Sequence, residues 1–141
     1  MNPNGGSGEQ WDTWEAMFSP KDPTSGYPAP LFDARTGAIH SEVVAHWSRF
    51  DITKQVTENW ELLGPIVRDK VRLICGSVDS FYLNRAVERF REKIAGQRGS
   101  EDGAGYVELI EGADHYTVVR AIRARWRREM IEHLRTHGLH D

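Results

Sequence analysis

Two short β-prone runs, each followed by a helical repeat, constrain this chain more than any other feature. The first, Val71-Arg72-Leu73-Ile74-Cys75, is mostly apolar and ends at Gly76, as suits a strand covered on both faces. After it, Leu83, Val87, Phe90 and Ile94 recur at spacings of four, three and four, which puts them on one face of a helix closed by Gly96. A glycine-rich link over 97–105 leads to the second run, Tyr106-Val107-Glu108-Leu109-Ile110. A last helix is expected from about residue 117 to 137, with Val119, Ile122, Trp126, Met130 and Leu134 on its buried face and Gly138 at its end. Strand, helix, strand, helix is the alternation of a parallel, doubly wound sheet, so the expected class is α/β. Such sheets ordinarily hold about four to six strands, and two alone leave unpaired edges. The missing strands are therefore expected on another chain or on a portion of the gene absent here.

The residues before this alternation have a different character. Most of the prolines and several glycines fall in residues 1–37, which predicts irregular backbone closed by a turn at Ala34-Arg35-Thr36-Gly37. The same stretch carries Trp11, Trp14, Met17, Phe18, Tyr27, Leu31 and Phe32, more large side chains than a solvated segment holds. They are expected to pack as a core or interface, with a substrate pocket as the less favoured use of Trp11, Trp14, Phe18 and Tyr27. From Ser41, placed as a cap, the pattern becomes helical, with Val43, Val44, Trp47 and Phe50 on one face. A second helix follows Asp51, carrying Ile52, Val56, Trp60 and Leu63 until Gly64-Pro65 stops it.

Composition excludes some classes of function. A chain of 141 residues suits one ordinary domain. No apolar run approaches the roughly 20 residues of a membrane span, so no membrane partner is expected. Eighteen basic against 21 acidic residues give a formal charge of -3, which offers no general attraction to nucleic acid. Arg120, Arg123, Arg125, Arg127 and Arg128 surround the apolar stripe of the last helix and read as a solvated outer face. The first ten residues lack the basic flank and apolar stretch of a secretory signal.

In open α/β sheets, functional groups gather just beyond the carboxyl ends of the strands. Asp79 lies four residues past Cys75, and His115 five past Ile110, so neighbouring strands would bring both to one edge. A carboxylate that orients an imidazole, whose other nitrogen exchanges a proton with a nucleophile, is the relay of serine hydrolases. The plainer readings are a helix N-cap for Asp79, compatible with the acid role, and a loop histidine paired with Asp114 for His115. Cys75, the only cysteine, shares a strand end with Asp79 and reads as a buried structural thiol rather than a nucleophile. His133, His137 and His140 suit the end of a helix, where cations are favoured, so no metal is expected, and no motif implies a cofactor.

The stretches Trp60-Glu61-Leu62-Leu63-Gly64-Pro65, Cys75-Gly76-Ser77-Val78-Asp79-Ser80-Phe81-Tyr82-Leu83 and Glu111-Gly112-Ala113-Asp114-His115-Tyr116 resemble the C-terminal third of bacterial esterases of the α/β-hydrolase fold. Upstream, Gly26-Tyr27-Pro28-Ala29-Pro30-Leu31-Phe32-Asp33 and Trp47-Ser48-Arg49-Phe50-Asp51 match the same pattern. The resemblance implies that residues 38–141 are the C-terminal part of a single α/β-hydrolase domain, a partial hydrolase fold with residues 1–37 as an irregular aromatic segment. It further implies that Asp79 is the acid and His115 the base of a Ser-Asp-His triad. The nucleophile does not carry over: Gly6-Ser7-Gly8-Glu9 lacks the second glycine and the preceding strand of an elbow, and no oxyanion segment is present. An N-terminal hydrolase half, or a homo-oligomer, is thus the expected partner, and the chain alone is expected to be inactive toward esters. The alternative is a non-catalytic α/β interaction module that oligomerises or binds a protein partner through the aromatic N-terminal segment.

Overall fold

The computed structural model describes residues 10–97 and 103–138. Two compact units are present, Met1–Glu58 and Asn59–Asp141.

In the first unit, helix α1 (Gln10–Phe18) forms within the stretch expected to be irregular. The prolines and glycines from Pro20 onward all lie beyond it, so nothing breaks the helical pattern between Gln10 and Phe18. Two turns follow, each pinned by an aspartate: Asp22 Oδ1 accepts the amides of Thr24 and Ser25, and Asp33 Oδ1 those of Arg35 and Thr36. Helix α2 (Ser41–Trp47), a 3-10 turn (Ser48–Phe50) and helix α3 (Ile52–Glu58) complete the unit. Ser41 is the first helical residue rather than the cap, a position taken by His40 without a side-chain bond. The aromatic residues pack on one another. Trp11 meets Trp14, Phe32 and Trp47 at ring separations of 5.6, 5.4 and 5.9 Å, and Phe18 meets Trp47 and Phe50. Tyr27 stands apart, half exposed.

The second unit opens with helix α4 (Trp60–Lys70). The helical pattern breaks at Asn59, and Gly64-Pro65, expected to end a helix, lies inside this one. Gly64 is buried under the Trp60 ring, where a Cβ would come within 2.8 Å of the indole. Pro65 is exposed, so water can take the carbonyl that its missing amide leaves free. Strands β1 (Arg72–Gly76) and β2 (Tyr106–Ile110) then pair in parallel, in a register running from Arg72 beside Tyr106 to Gly76 beside Ile110. Helix α5 (Leu83–Ala95) joins them and packs on both, burying Val87, Phe90 and Ile94. This is a mixed α/β unit with a two-stranded parallel sheet among the described residues.

Helix α6 (Thr117–Thr136) packs on β1. Its buried residues are Val118 and Ile122, whereas Val119, Trp126, Met130 and Leu134, expected to be buried, are exposed to different degrees. Length accounts for Trp126, Met130 and Leu134, since twenty helical residues extend about 30 Å and a five-residue strand about 17 Å, whereas Val119 sits about 100° round the helix from the buried Val118. The middle of the helix meets the sheet through polar groups instead. Tyr106 Oη donates to Glu129 Oε2 at 2.7 Å, Arg72 lies 3.5 Å from the same oxygen, and Arg125 reaches Glu108 at 2.7 Å. Arg125 is therefore not on the outer face, unlike Arg120, Arg123, Arg127 and Arg128. Beyond this network an open groove of about 400 Å³ runs between Lys70 and Arg72 on one side and Trp126, Met130, His133 and Leu134 on the other. Among the described residues, no helix is long and apolar enough to cross a membrane.

Candidate active site

Parallel pairing in level register sends both chains out of the sheet at the same edge, and short bonds tie the two exits together. Ser77 N–H donates to Ile110 O, Val78 N–H to Ala113 O, and Gly112 N–H to Ser77 Oγ at 2.9 Å. Gly76 makes this possible. A Cβ there would lie 2.1 Å from Ala113 O and 2.8 Å from Asp114 O, so only glycine lets β1 approach the turn that carries His115.

Asp79 and His115 meet across this bridge, with Asp79 Oδ2 at 2.9 Å from His115 Nδ1. The carboxylate side chain is 2% exposed and the imidazole 40%. Asp79 divides its oxygens between two tasks. Oδ1 accepts the amides of Phe81 at 2.9 Å and Leu83 at 3.3 Å, fixing the turn into α5, while Oδ2 serves the imidazole. It lies too far before α5 to be its N-cap residue, yet it satisfies the first amide of that helix. Burial pushes its carboxyl upward, but the hydrogen bond from His115, the Phe81 and Leu83 amides and the imidazole charge outweigh this and hold it below the ordinary carboxylate value.

An ionised carboxylate only accepts, so His115 Nδ1 carries the hydrogen and the lone pair of the neutral ring falls on Nε2. The ring is held edge-on by Phe81 at 4.7 Å and Tyr116 at 5.4 Å. Asp114 does not compete for it. Its Oδ1 accepts the amides of Tyr116 and Thr117 and the Thr117 hydroxyl, securing the start of α6.

Cys75 Sγ stands 3.7 Å from Asp79 Oδ2. Burial raises the thiol's pKa, and the Asp79 charge and the hydrogen bond to it add to the rise. A protonated weak donor is the result, not a thiolate nucleophile. At the far end of α6, His137 Nδ1 pairs with the His133 carbonyl and the two rings lie 4.1 Å apart. No group of three or more metal-binding side chains occurs among the described residues. His140 and Ser7 lie outside them.

Sequence reasoning missed three contributors. Gly76 had a visible signal, since a glycine closing a strand marks close backbone approach. Phe81 and Tyr82 had none, because nothing local marks a ring that touches a histidine 34 residues away or a tyrosine in left-handed backbone.

The chain is thus a mixed α/β protein with a carboxylate–imidazole pair at the carboxyl ends of two parallel strands. No protein-family model, curated protein or solved structure matches it.

Proposed function

We propose that this chain supplies the acid and the general base of a serine ester hydrolase of the α/β-hydrolase fold, with the nucleophilic serine and the oxyanion donors coming from a separate or preceding hydrolase half. The observation that carries this reading is the 2.9 Å contact between a buried Asp79 carboxylate and Nδ1 of a half-exposed His115. In the proposed reaction, Nε2 takes the serine proton as the hydroxyl attacks the ester carbonyl, then returns it to the departing alkoxide; water repeats the cycle on the acyl-enzyme. Asp79 stays ionised, keeps the tautomer and stabilises the imidazolium. The resemblance of the Gly76-Ser77-Val78-Asp79 and Asp114-His115-Tyr116 segments to bacterial esterases supports the same assignment.

The test compares the chain alone with the chain complemented by a half carrying a Gly-x-Ser-x-Gly elbow, using p-nitrophenyl acetate and a fluorophosphonate label. Alone, neither turnover nor labelling is expected. Complemented, hydrolysis appears and falls by roughly 10³- to 10⁴-fold in His115→Gln and Asp79→Asn. Serine labelling of the chain alone, or full hydrolysis in complemented His115→Gln, would sink the proposal.

A non-catalytic interaction module is the second reading, favoured by the exposed Trp126, Met130 and Leu134 along α6. A stable homodimer whose function survives His115→Ala would favour it.

A further inference from the structure

Among the described residues, β1 has β2 as its only strand neighbour, and the ladder between them fixes which backbone groups of β1 face away. Val71 O accepts the Tyr106 amide at 2.8 Å, and the Ser77 amide donates to Ile110 O at 2.9 Å, so the odd-numbered residues face β2. Successive residues of a strand turn their N–H and C=O to opposite sides, so Arg72 and Ile74 aim both groups out of the sheet. The strand lacks the usual guards of such an edge. It has no proline, and its one charged side chain, Arg72, is drawn to Glu129 at 3.5 Å.

The apolar groove opens at the start of this edge, between Lys70 and Arg72 on one side and Trp126, Met130 and Leu134 of α6 on the other. Arg72 belongs to both, so edge and groove are one continuous surface. Its chemistry calls for an extended strand backed by apolar side chains.

We infer that a second copy of this chain occupies that surface, its β1 pairing antiparallel with this one about a two-fold axis at Ile74. Ile74 then exchanges both backbone bonds with its counterpart, and Arg72 N–H reaches the carbonyl of Gly76, which opposes it with no side chain. Charge favours the same arrangement. Lys70 and Arg72, at the start of β1, come beside the strand exits of the second copy, where Glu111 and Asp114 stand, while Asp69 turns away toward Gly103. The axis passes through the sheet, so both α6 helices lie on one face, where each covers exposed Met130 and Leu134 of the other. Two strands from each copy make a sheet of about the ordinary size, and a two-fold contact closes instead of growing into a fibre. The inference does not depend on the hydrolase reading.

Sedimentation velocity and amide hydrogen exchange are measured on the full chain from dilute to concentrated solution. A dimer is expected. As it forms, the Arg72 and Ile74 amides should gain protection, whereas those of Leu73 and Cys75, bonded within the ladder, are protected throughout. Arg72→Pro removes an outward amide at the first residue of the strand, where proline is tolerated. Val71, at φ -82° and ψ 120°, already has the backbone that a following proline requires. The dimer should weaken roughly tenfold in Arg72→Pro relative to Arg72→Ala, which loses the same guanidinium but keeps the amide. Should Arg72→Pro fail to fold, the exchange pattern of the parent chain still decides. A chain monomeric at every concentration, its edge left to a strand of another protein, would overturn the inference. So would a dimer whose Arg72 and Ile74 amides exchange as freely as in the monomer, which is association through α6 alone.

Discussion

Asp79 carries two loads on one carboxylate, and acid exposes both. Its pKa is held below the ordinary value in the folded chain, so on acidification the unfolded chain takes up the proton first. Its contribution to stability is complete above the unfolded carboxylate value of about 4 and is lost as pH falls through the folded one. Urea midpoints measured from pH 6 downward should therefore drop less steeply in Asp79→Asn than in the parent chain; identical slopes would refute this account. Cys75, 6% exposed and held protonated, should react with a thiol reagent such as dithionitrobenzoate only as the chain unfolds. Rapid modification of the native chain would contradict its placement.

At the scale of elements, the bridge between the two strand exits depends on a missing side chain. Gly76→Ala must displace the turn at Ala113, because its Cβ meets a backbone oxygen that cannot rotate away. A loss of about 1–3 kcal/mol is expected, the range of overpacked sites, together with loss of the downfield Nδ1 proton resonance of His115. Ile94→Ala, 1% exposed on α5, should lower stability by about 2–5 kcal/mol through a cavity while leaving that resonance in place. Spacing in the sequence was enough to read β1, α5, β2 and α6, because burial beside a sheet writes a period into the chain. It was also enough to bring Asp79 and His115 to one edge, since both follow strand ends. What could not be read is how side chains settle on one another: Gly64 packed under the Trp60 ring, Met130 left exposed on α6, and the left-handed backbone at Tyr82. The helix over Gln10–Phe18 was locally visible, but hidden by averaging it with the prolines that follow.

For the whole molecule, the second unit presents more apolar surface than its sheet covers. No residue of β2 is fully buried, and the outer half of α6 leaves Met130 63% exposed. Sedimentation velocity should show association that grows with concentration, and replacement of both Met130 and Leu134 by lysine should abolish it without lowering the thermal midpoint. A chain that stays monomeric at high concentration would remove the case for an interface along α6.

The level register of β1 and β2 has one more consequence. Asp79 and His115 are 36 residues apart, yet the strand register that begins at Arg72 and the turn bonds that run to Thr117 all lie inside the unit that begins at Asn59. The Asp79–His115 pair is thus a portable part: a gene fusion, permutation or chain break made upstream of Asn59 transfers or severs other things, but carboxylate and imidazole travel together.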